Sequence, residues 1–504
     1  ESKDIERFKK QIKKKHRFIS VPLKYNLSDD EVAKLSVNRH RYPGVEVVAG
    51  LNRFYPLAEK LAHVSGYVGV INEEELVTLD TSNYKGTSHI GKLGAEQAYE
   101  GLLHGKVGHR QVEVNATGRI IRVLDRTAPV SGKNIFLTLD VSLQNLAVEA
   151  LTDKRGAIVA LDPEDGSVLA LVSSPGYDPN PFVNGIDSKS YNKLLGSKDA
   201  PLLNRALQGK YPAGSTIKPF LGLGALDYGL RNLLDETWCQ GWYSLKGSKH
   251  RYRDWKKQGH GHTNLVNAIA QSCDVYFYSL AHEMGIDRIN EVLDKFGFGR
   301  KTNIDIIGEV AGLNPSREWK RRTYGQAWFP GETLIVGIGQ GSSLVTPIHL
   351  AVATAAIANR GKLVQPHLYA NARDSISNEI VDQYVQTEVE GIDIQDLEHW
   401  QQIIDSMTEV MHGARGTARR YGKGAAYKMA GKTGTAQVIA IAQDEEYKKE
   451  EVAEEFRDHA LFIAFAPVDD PKIALAIIVE NGGSGSSAAA PIARRLFDHY
   501  LRVK

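Results

Sequence analysis

Apolar and polar positions follow different rhythms along this chain, and the change of rhythm divides it. Up to about residue 130, short apolar stretches give way to polar ones every few positions. Ser28-Asp-Asp-Glu-Val32 and Val37-Asn-Arg-His-Arg-Tyr-Pro-Gly-Val45 are examples. Such switching predicts an irregular region of short strands and loops. Beyond it, Ile135-Phe-Leu-Thr-Leu-Asp140 reads as a strand leading into a helical stretch. Two apolar runs, Gly156–Leu161 and Val168–Val172, then flank Pro163-Glu-Asp-Gly166, which predicts a β-hairpin. Ala460-Leu-Phe-Ile-Ala-Phe-Ala466, Val468-Asp-Asp-Pro471 and Lys472–Val479 repeat that design near the C-terminus. Between them, from about 200 to 415, helical periodicity and loops dominate. Strands at both ends with helices between predict an α+β fold: one central antiparallel sheet closed by distant segments and flanked by helices. There is no internal repeat or low-complexity tract.

Composition narrows the class. Length alone, 504 residues, suggests about three domain-sized units, and an apolar share of 42% is that of a globular chain. A formal net charge of +2 excludes the broad basic footprint of a nucleic-acid binder. The basic opening, Phe8-Lys-Lys-Gln-Ile-Lys-Lys-Lys-His-Arg17, fits either a solvated arm or contact with anionic lipid heads. No apolar stretch approaches the ~18 residues a membrane helix needs. With Glu1 first and no signal-peptide pattern, the chain is expected to be a soluble portion whose membrane anchor lies outside it. Asp444–Glu455 is strongly charged and reads as an exposed insertion.

Three short strings carry candidate chemistry. Ser215-Thr-Ile-Lys218 follows the turn-forming Tyr211-Pro-Ala-Gly214 and leads into an apolar run. That context places Ser215 in the positive field of a helix N-terminus, with Lys218 one turn on and within reach of its hydroxyl. Ser82-Asn-Tyr-Lys85 and Ser190-Tyr-Asn-Lys193 fit the same spacing but lie in polar sequence, as surface serines do. Lys432-Thr-Gly434 is the only Lys-Thr-Gly in the chain and sits in a strand-like run, with Gly434 expected to let a substrate backbone approach. Ser272-Cys-Asp274, expected on a helix, lies between the two. A nucleophile with its base, a proton relay and a carboxylate clamp suit opening of an amide or β-lactam through an acyl-serine. Lys218 serves as base only when neutral, and burial beside a cationic Lys432 would lower its pKa.

Both cysteines, Cys239 and Cys273, bracket a segment with Asp254, His260 and His262, and with Trp238, Trp242 and Trp255. Thiolates, an imidazole and a carboxylate are zinc-type ligands. Cys239, Asp254, His260 and Cys273 form a candidate structural site, with His262 an alternative to His260. The spacings are long and irregular, so two buried thiols beside ordinary histidines stand as an equal reading, and a disulfide as a lesser one.

The strings Tyr211–Pro219, Ser272–Tyr278, Gly337-Ile-Gly-Gln-Gly341 with Thr346-Pro347, and Gly431–Gln437 resemble those of class B penicillin-binding proteins. Arg41–Val47, His63–Gly69, Gly91-Lys-Leu-Gly94 and Glu113–Arg119 resemble their elongation branch, penicillin-binding protein 2. The resemblance spans nearly the whole chain. It implies a pedestal or dimerisation-type domain at 1–135 and a transpeptidase domain at 136–504. It also implies a Gram-negative inner-membrane protein facing the periplasm, which cross-links peptidoglycan stem peptides during side-wall growth and is acylated by β-lactams. Implied partners are a SEDS-type glycan polymerase and scaffold proteins of the rod complex. No cofactor is required for the implied chemistry.

The resemblance assigns roles residue by residue. The N–H groups of Ser215 and Thr435 would hold the oxyanion, Lys432 and Thr433 (with Thr435) the substrate carboxylate, and Ser272 would pass a proton to the departing D-alanine. Family members commonly end the second string in Asn; here it is Asp274, which only accepts hydrogen bonds when ionised. Asp274 is therefore expected to bind Lys218 and hold it charged at rest. Competing readings are a serine β-lactamase or D,D-carboxypeptidase, a β-lactam sensor, and a non-catalytic scaffold. The chain offers no clear carboxylate motif for activating water as acyl acceptor.

Overall fold

The computed structural model describes residues 23–25, 27–84, 87–116, 120–439 and 452–503. The basic opening segment, Lys85 of the second Ser-x-x-Lys and most of the charged 444–455 stretch lie outside the described residues.

Both hairpins form where the apolar runs end at Pro-bearing turns. β1 (Gly156–Leu161) pairs antiparallel with β2 (Val168–Ser174). β3 (Ala430–Ala436), β4 (His459–Ala466) and β5 (Ile473–Val479) complete a sheet ordered β3-β4-β5-β1-β2. Every neighbouring pair in it is antiparallel. The two hairpins are more than 280 positions apart in sequence, and β5 lies directly against β1. β1 and β5 are buried at every position, so they read as unbroken apolar runs because both faces are covered.

Two pairs of helices cover the sheet. α1 (Val141–Ala150) and the C-terminal α2 (Ala490–Val503) pack on each other and on the strands. On the other side lie α3 (Pro347–Ala358), buried at all twelve positions, and α4 (Glu398–His412). α3 is apolar all round because the sheet takes one side and further helices the other. Those are α4 and the short helix Arg205–Gln208, while α5 (Lys218–Asp227), α6 (Leu265–Ala270) and α7 (Asp274–Lys295) make the rest of the helical part with α4.

The N-terminal part is irregular, as the switching pattern predicts: short helices, the two-stranded pairings Val68–Val70 with His89–Gly91 and His109–Val114 with Ile120–Thr127, and loops. Asn134–Leu137 joins Tyr369–Arg373 of the later part. Among the described residues no helix is long and apolar enough to cross a membrane.

Candidate active site

The three strings converge at the junction of the edge strand β3 with the helical part. Ser215 lies on a 3-10 turn, Gly214–Ile217, that runs directly into α5, whose ten residues are all buried. That turn packs tightly. Gly214 (φ +53°) donates its N–H to Gly339 O at 2.8 Å, and a Cβ on Gly339 (φ +74°) would fall 2.1 Å from Gly214 O. A Cβ on Gly434 would meet Thr216 Cγ2 at 2.7 Å. Gly434 is thus needed for β3 to lie against the nucleophile turn, rather than for room on the substrate side. The expected role changes because the bare face of this glycine points at Thr216.

Thr435 closes the same junction. Its carbonyl accepts Gln340 Nε2 at 2.9 Å, so it faces away from β4. In an antiparallel strand a residue's N–H lies on the same side as its C=O, and Thr435 N–H accordingly faces the Ser215 turn. The free edge of β3 therefore presents donors there.

Ser272 sits on the turn between α6 and α7, not on a helix as the sequence led us to expect, and its φ of +59° is left-handed. Such a conformation costs about 1–3 kcal/mol in a non-glycine residue and persists when neighbours fix it. Four bonds do so: Ser272 Oγ accepts from Lys432 Nζ at 2.9 Å and Lys218 Nζ at 3.3 Å, while Ser272 O accepts from Lys218 Nζ at 3.0 Å and Trp255 Nε1 at 3.2 Å. Both lysines are wholly buried, and one hydroxyl bridges them.

Asp274 meets Lys218, as expected from its departure from Asn: Lys218 Nζ to Asp274 Oδ1 is 2.7 Å. Asp274 Oδ2 accepts the N–H of Trp255 at 3.2 Å. Burial raises the Asp274 pKa, and the Lys218 charge works against that. No hydrogen bond joins Lys218 to Ser215 among the described residues, so at rest the amine is turned to Ser272 and Asp274.

Lys432 is driven toward its neutral form: burial pushes its pKa well down, and the nearby Lys218 charge pushes further. Lys218 has a carboxylate in contact, whereas Lys432 Nζ donates, among the described residues, to Ser272 Oγ and Thr433 O. Lys432 is wholly buried. Thr433 Oγ1 lies 3.0 Å from Thr417 Oγ1, and Thr435 is half-buried. Reading by motif missed Thr417 and gave Trp255 no part in this site. Gln340 was legible only as part of the Gly337–Gly341 string.

Cys239, Asp254, His260 and Cys273 come together, with ligand atoms within 4.8 Å of one another. Asp254 Oδ2 lies 3.5 Å from Cys239 Sγ and 3.4 Å from Cys273 Sγ. His260 Nδ1 lies 3.6 Å from Cys239 Sγ and 3.5 Å from Asp254 Oδ1. Zinc–ligand bonds of about 2.0–2.3 Å at tetrahedral angles require ligand separations of roughly 3.3–3.8 Å, a range that these four separations match. The cysteines are free thiols, which removes the disulfide reading, and His262 is exposed against Glu236, which removes it as an alternative ligand.

Charge balance within the cluster also suits a cation. A hydrogen bond from Cys273 pulls the Cys239 thiol down to about 5 despite burial, while Cys273 is pushed up. His260 is lifted to about 9, its burial outweighed by Asp254 and Cys239. Asp254 in addition accepts the N–H groups of Asp274 at 2.8 Å and Val275 at 3.1 Å, and Cys273 Sγ that of Tyr276 at 3.4 Å. The cluster thus caps α7, the helix whose first residue is Asp274.

Comparison with known proteins agrees with this geometry. A family model described as the penicillin binding protein transpeptidase domain matches residues 156–498, and one described as the penicillin-binding protein dimerisation domain matches residues 1–137. The chain is 43% identical to the peptidoglycan D,D-transpeptidase MrdA of Escherichia coli over 99% of its own length and 79% of that relative's. The crystal structure of Pseudomonas aeruginosa PBP2 in complex with WCK 5153 superposes with a TM-score of 0.80 at 46% identity, covering 90% of this chain and 92% of that one. PBP2 in the complex with MreC from Helicobacter pylori gives 0.83 at 31% identity, covering 99% and 90%.

Proposed function

Because this chain belongs to the penicillin-binding protein transpeptidases, we propose that Ser215 is the residue acylated by peptidoglycan stem peptides and by β-lactams. The protein is a serine-type D,D-transpeptidase of peptidoglycan. The observation that carries the Ser215 assignment is the two-lysine bridge at Ser272, set beside a nucleophile turn that faces outward N–H groups.

Ser215 Oγ attacks the carbonyl between the two terminal D-alanines while Lys218, having passed its ammonium proton to Asp274 as substrate enters, takes the Ser215 proton. Position 218 shares a face with 215, so rotation of the lysine side chain suffices. Ser215 and Thr435 N–H groups stabilise the oxyanion. Lys218, now holding the Ser215 proton, returns it through the Ser272 hydroxyl to the departing D-alanine, while Lys432 holds that hydroxyl in place. An amine from a neighbouring stem then attacks the acyl-serine and releases Ser215. Thr433 and Thr435 hold the terminal carboxylate, and Lys432 acts through Ser272.

Asp274 sets the pH range of this relay. Its negative charge works to raise the pKa of Lys432 and lies 2.7 Å from the Lys218 amine, so Asp274→Asn is expected to let the relay operate at lower pH. The acidic limb of the penicillin acylation rate is expected to move down by about one pH unit or more, the usual effect of removing a contacting charge. An unchanged pH profile would show that Asp274 does not tune the base.

The Cys239, Asp254, His260 and Cys273 tetrad holds a structural zinc in this reading. The ion would crosslink two loops beneath the second motif and takes no part in acyl transfer. Purified protein is expected to contain one zinc per chain. A strong chelator should lower the melting temperature by more than about 5 °C and slow acylation, since structural zinc contributes several kcal/mol. Absence of stoichiometric metal together with an unmoved melting temperature would refute it.

The pedestal at 1–135 and the catalytic part at 136–504 are proposed as separate working units. The family places the protein in the cell envelope, and we assign it to the periplasmic face of the inner membrane, active in side-wall elongation. Proposed partners are an MreC-type scaffold protein and a SEDS-type polymerase.

A further inference from the structure

A buried ionic knot lies outside the groove, at the end of β5. Glu480 Oε1 accepts Tyr211 Oη at 2.7 Å and Arg205 Nε at 2.9 Å, and Arg155 Nε lies 3.6 Å from Oε2. Arg205 is buried and is held further by the carbonyls of Asp199 at 2.7 Å and Ala200 at 3.1 Å. Arg155 reaches on to Asn481 Oδ1 at 2.7 Å. Asn481, in a left-handed conformation at φ +57°, donates its N–H to His459 Nδ1 at 3.0 Å.

The two ends of this knot touch the two backbone segments on which acylation depends. Tyr211 opens the run into the Ser215 turn: Tyr211 and Pro212 pair with Val345 and Leu344. His459 stands opposite Ala436 in the β3–β4 register, one position past Thr435, and its ring meets that of Tyr211 edge-on at 5.6 Å. The separation of the Ser215 and Thr435 N–H groups is therefore spanned by one carboxylate and the groups it holds. Burial raises the Glu480 carboxyl, but Arg205 and the Tyr211 hydroxyl outweigh it and hold the group below its ordinary range, so it stays ionised.

We infer that Glu480 is a positioning residue for acylation, fixing Tyr211 and through it the Ser215 turn against the strand end that carries Thr435. Glu480 touches no reacting atom. The inference rests on the reading of Ser215 as nucleophile and adds a determinant of its placement.

Tyr211→Phe tests it with least disturbance, removing one hydroxyl and leaving Glu480 paired with Arg205 and Arg155. Single-turnover acylation by a fluorescent penicillin separates the limiting rate from the affinity of the initial complex. The limiting rate is expected to fall about 10- to 100-fold, the cost of a misplacement on the order of 1 Å, while that affinity and the melting temperature hold. Glu480→Asp keeps the charge but draws Oε1 away from both Tyr211 and Arg205, and should lower the limiting rate at least as far. The double variant should be no slower than the slower single one. Wild-type rates in Tyr211→Phe, a fall in melting temperature alone, or losses that multiply in the double variant would each overturn the proposal. Failure of the underlying reading would look different: wild-type protein would carry its adduct away from Ser215.

Discussion

Ser215→Ala is expected to abolish covalent capture of penicillin, with the acylation rate falling by more than about 10⁴-fold, because no other group can form the ester. Its fold should survive. Ser215 Oγ makes no hydrogen bond among the described residues and is only half-buried, so alanine removes a nucleophile without stranding a partner. The backbone N–H of residue 215 remains, and with it the donor proposed for the oxyanion. The variant should therefore still bind penicillin reversibly while intact-mass analysis shows no adduct. Ser82 and Ser190 offer no substitute. Ser82 Oγ is bonded to Asp80 at 2.6 Å, and Ser190 lies exposed on the helix Ser188–Leu195, away from any lysine pair of the kind seen at Ser272. An adduct of normal yield on the alanine variant, or a wild-type adduct mapped to another residue, would contradict the assignment.

Lys218→Met should be the second most damaging change, lowering acylation by about 10²–10⁴-fold as loss of a positioned base does. Methionine fills a wholly buried position of similar length, so packing is largely kept. The electrostatic effect is not neutral, because Asp274 loses the partner 2.7 Å away. An orphaned buried charge costs about 3–5 kcal/mol, which protonation relieves. The sign is definite. Burial already raises the Asp274 pKa, and removing the Lys218 charge raises it further. A carboxyl whose folded-state pKa exceeds its unfolded value stabilises the fold below that pKa and loses the contribution as pH rises through it. The variant's melting temperature should thus fall further behind wild type as pH rises from acid toward neutral. Adding Asp274→Asn should restore the melting temperature without restoring the rate. Recovery of both would make Lys218 a structural counter-ion and not a base.

Much of this molecule is legible as one-dimensional pattern. Apolar runs interrupted at Pro163-Glu-Asp-Gly166 and at Asp469-Asp-Pro471 can bury their faces only as hairpins, and both form. The glycine-flanked Ser215 turn and the strand bearing Lys432 follow from local chemistry in the same way. The pairing of β5 with β1 was anticipated only in outline, because register between strands so far apart is set by the packing of both faces.

The amino-acid order alone marked the candidate groups: a serine one turn before a lysine, a second serine near a carboxylate, a Lys-Thr-Gly strand, and two thiols, an imidazole and a carboxylate of zinc-binding type. Tertiary structure decided how those groups share protons. It gave Lys218 a carboxylate and left Lys432 without one, put Ser272 on a left-handed turn where both amines reach it, and chose His260 over His262. Proton affinity depends on burial and on charges a few ångströms away, and those neighbours come from segments 56 and 160 positions apart, so no local pattern could supply them.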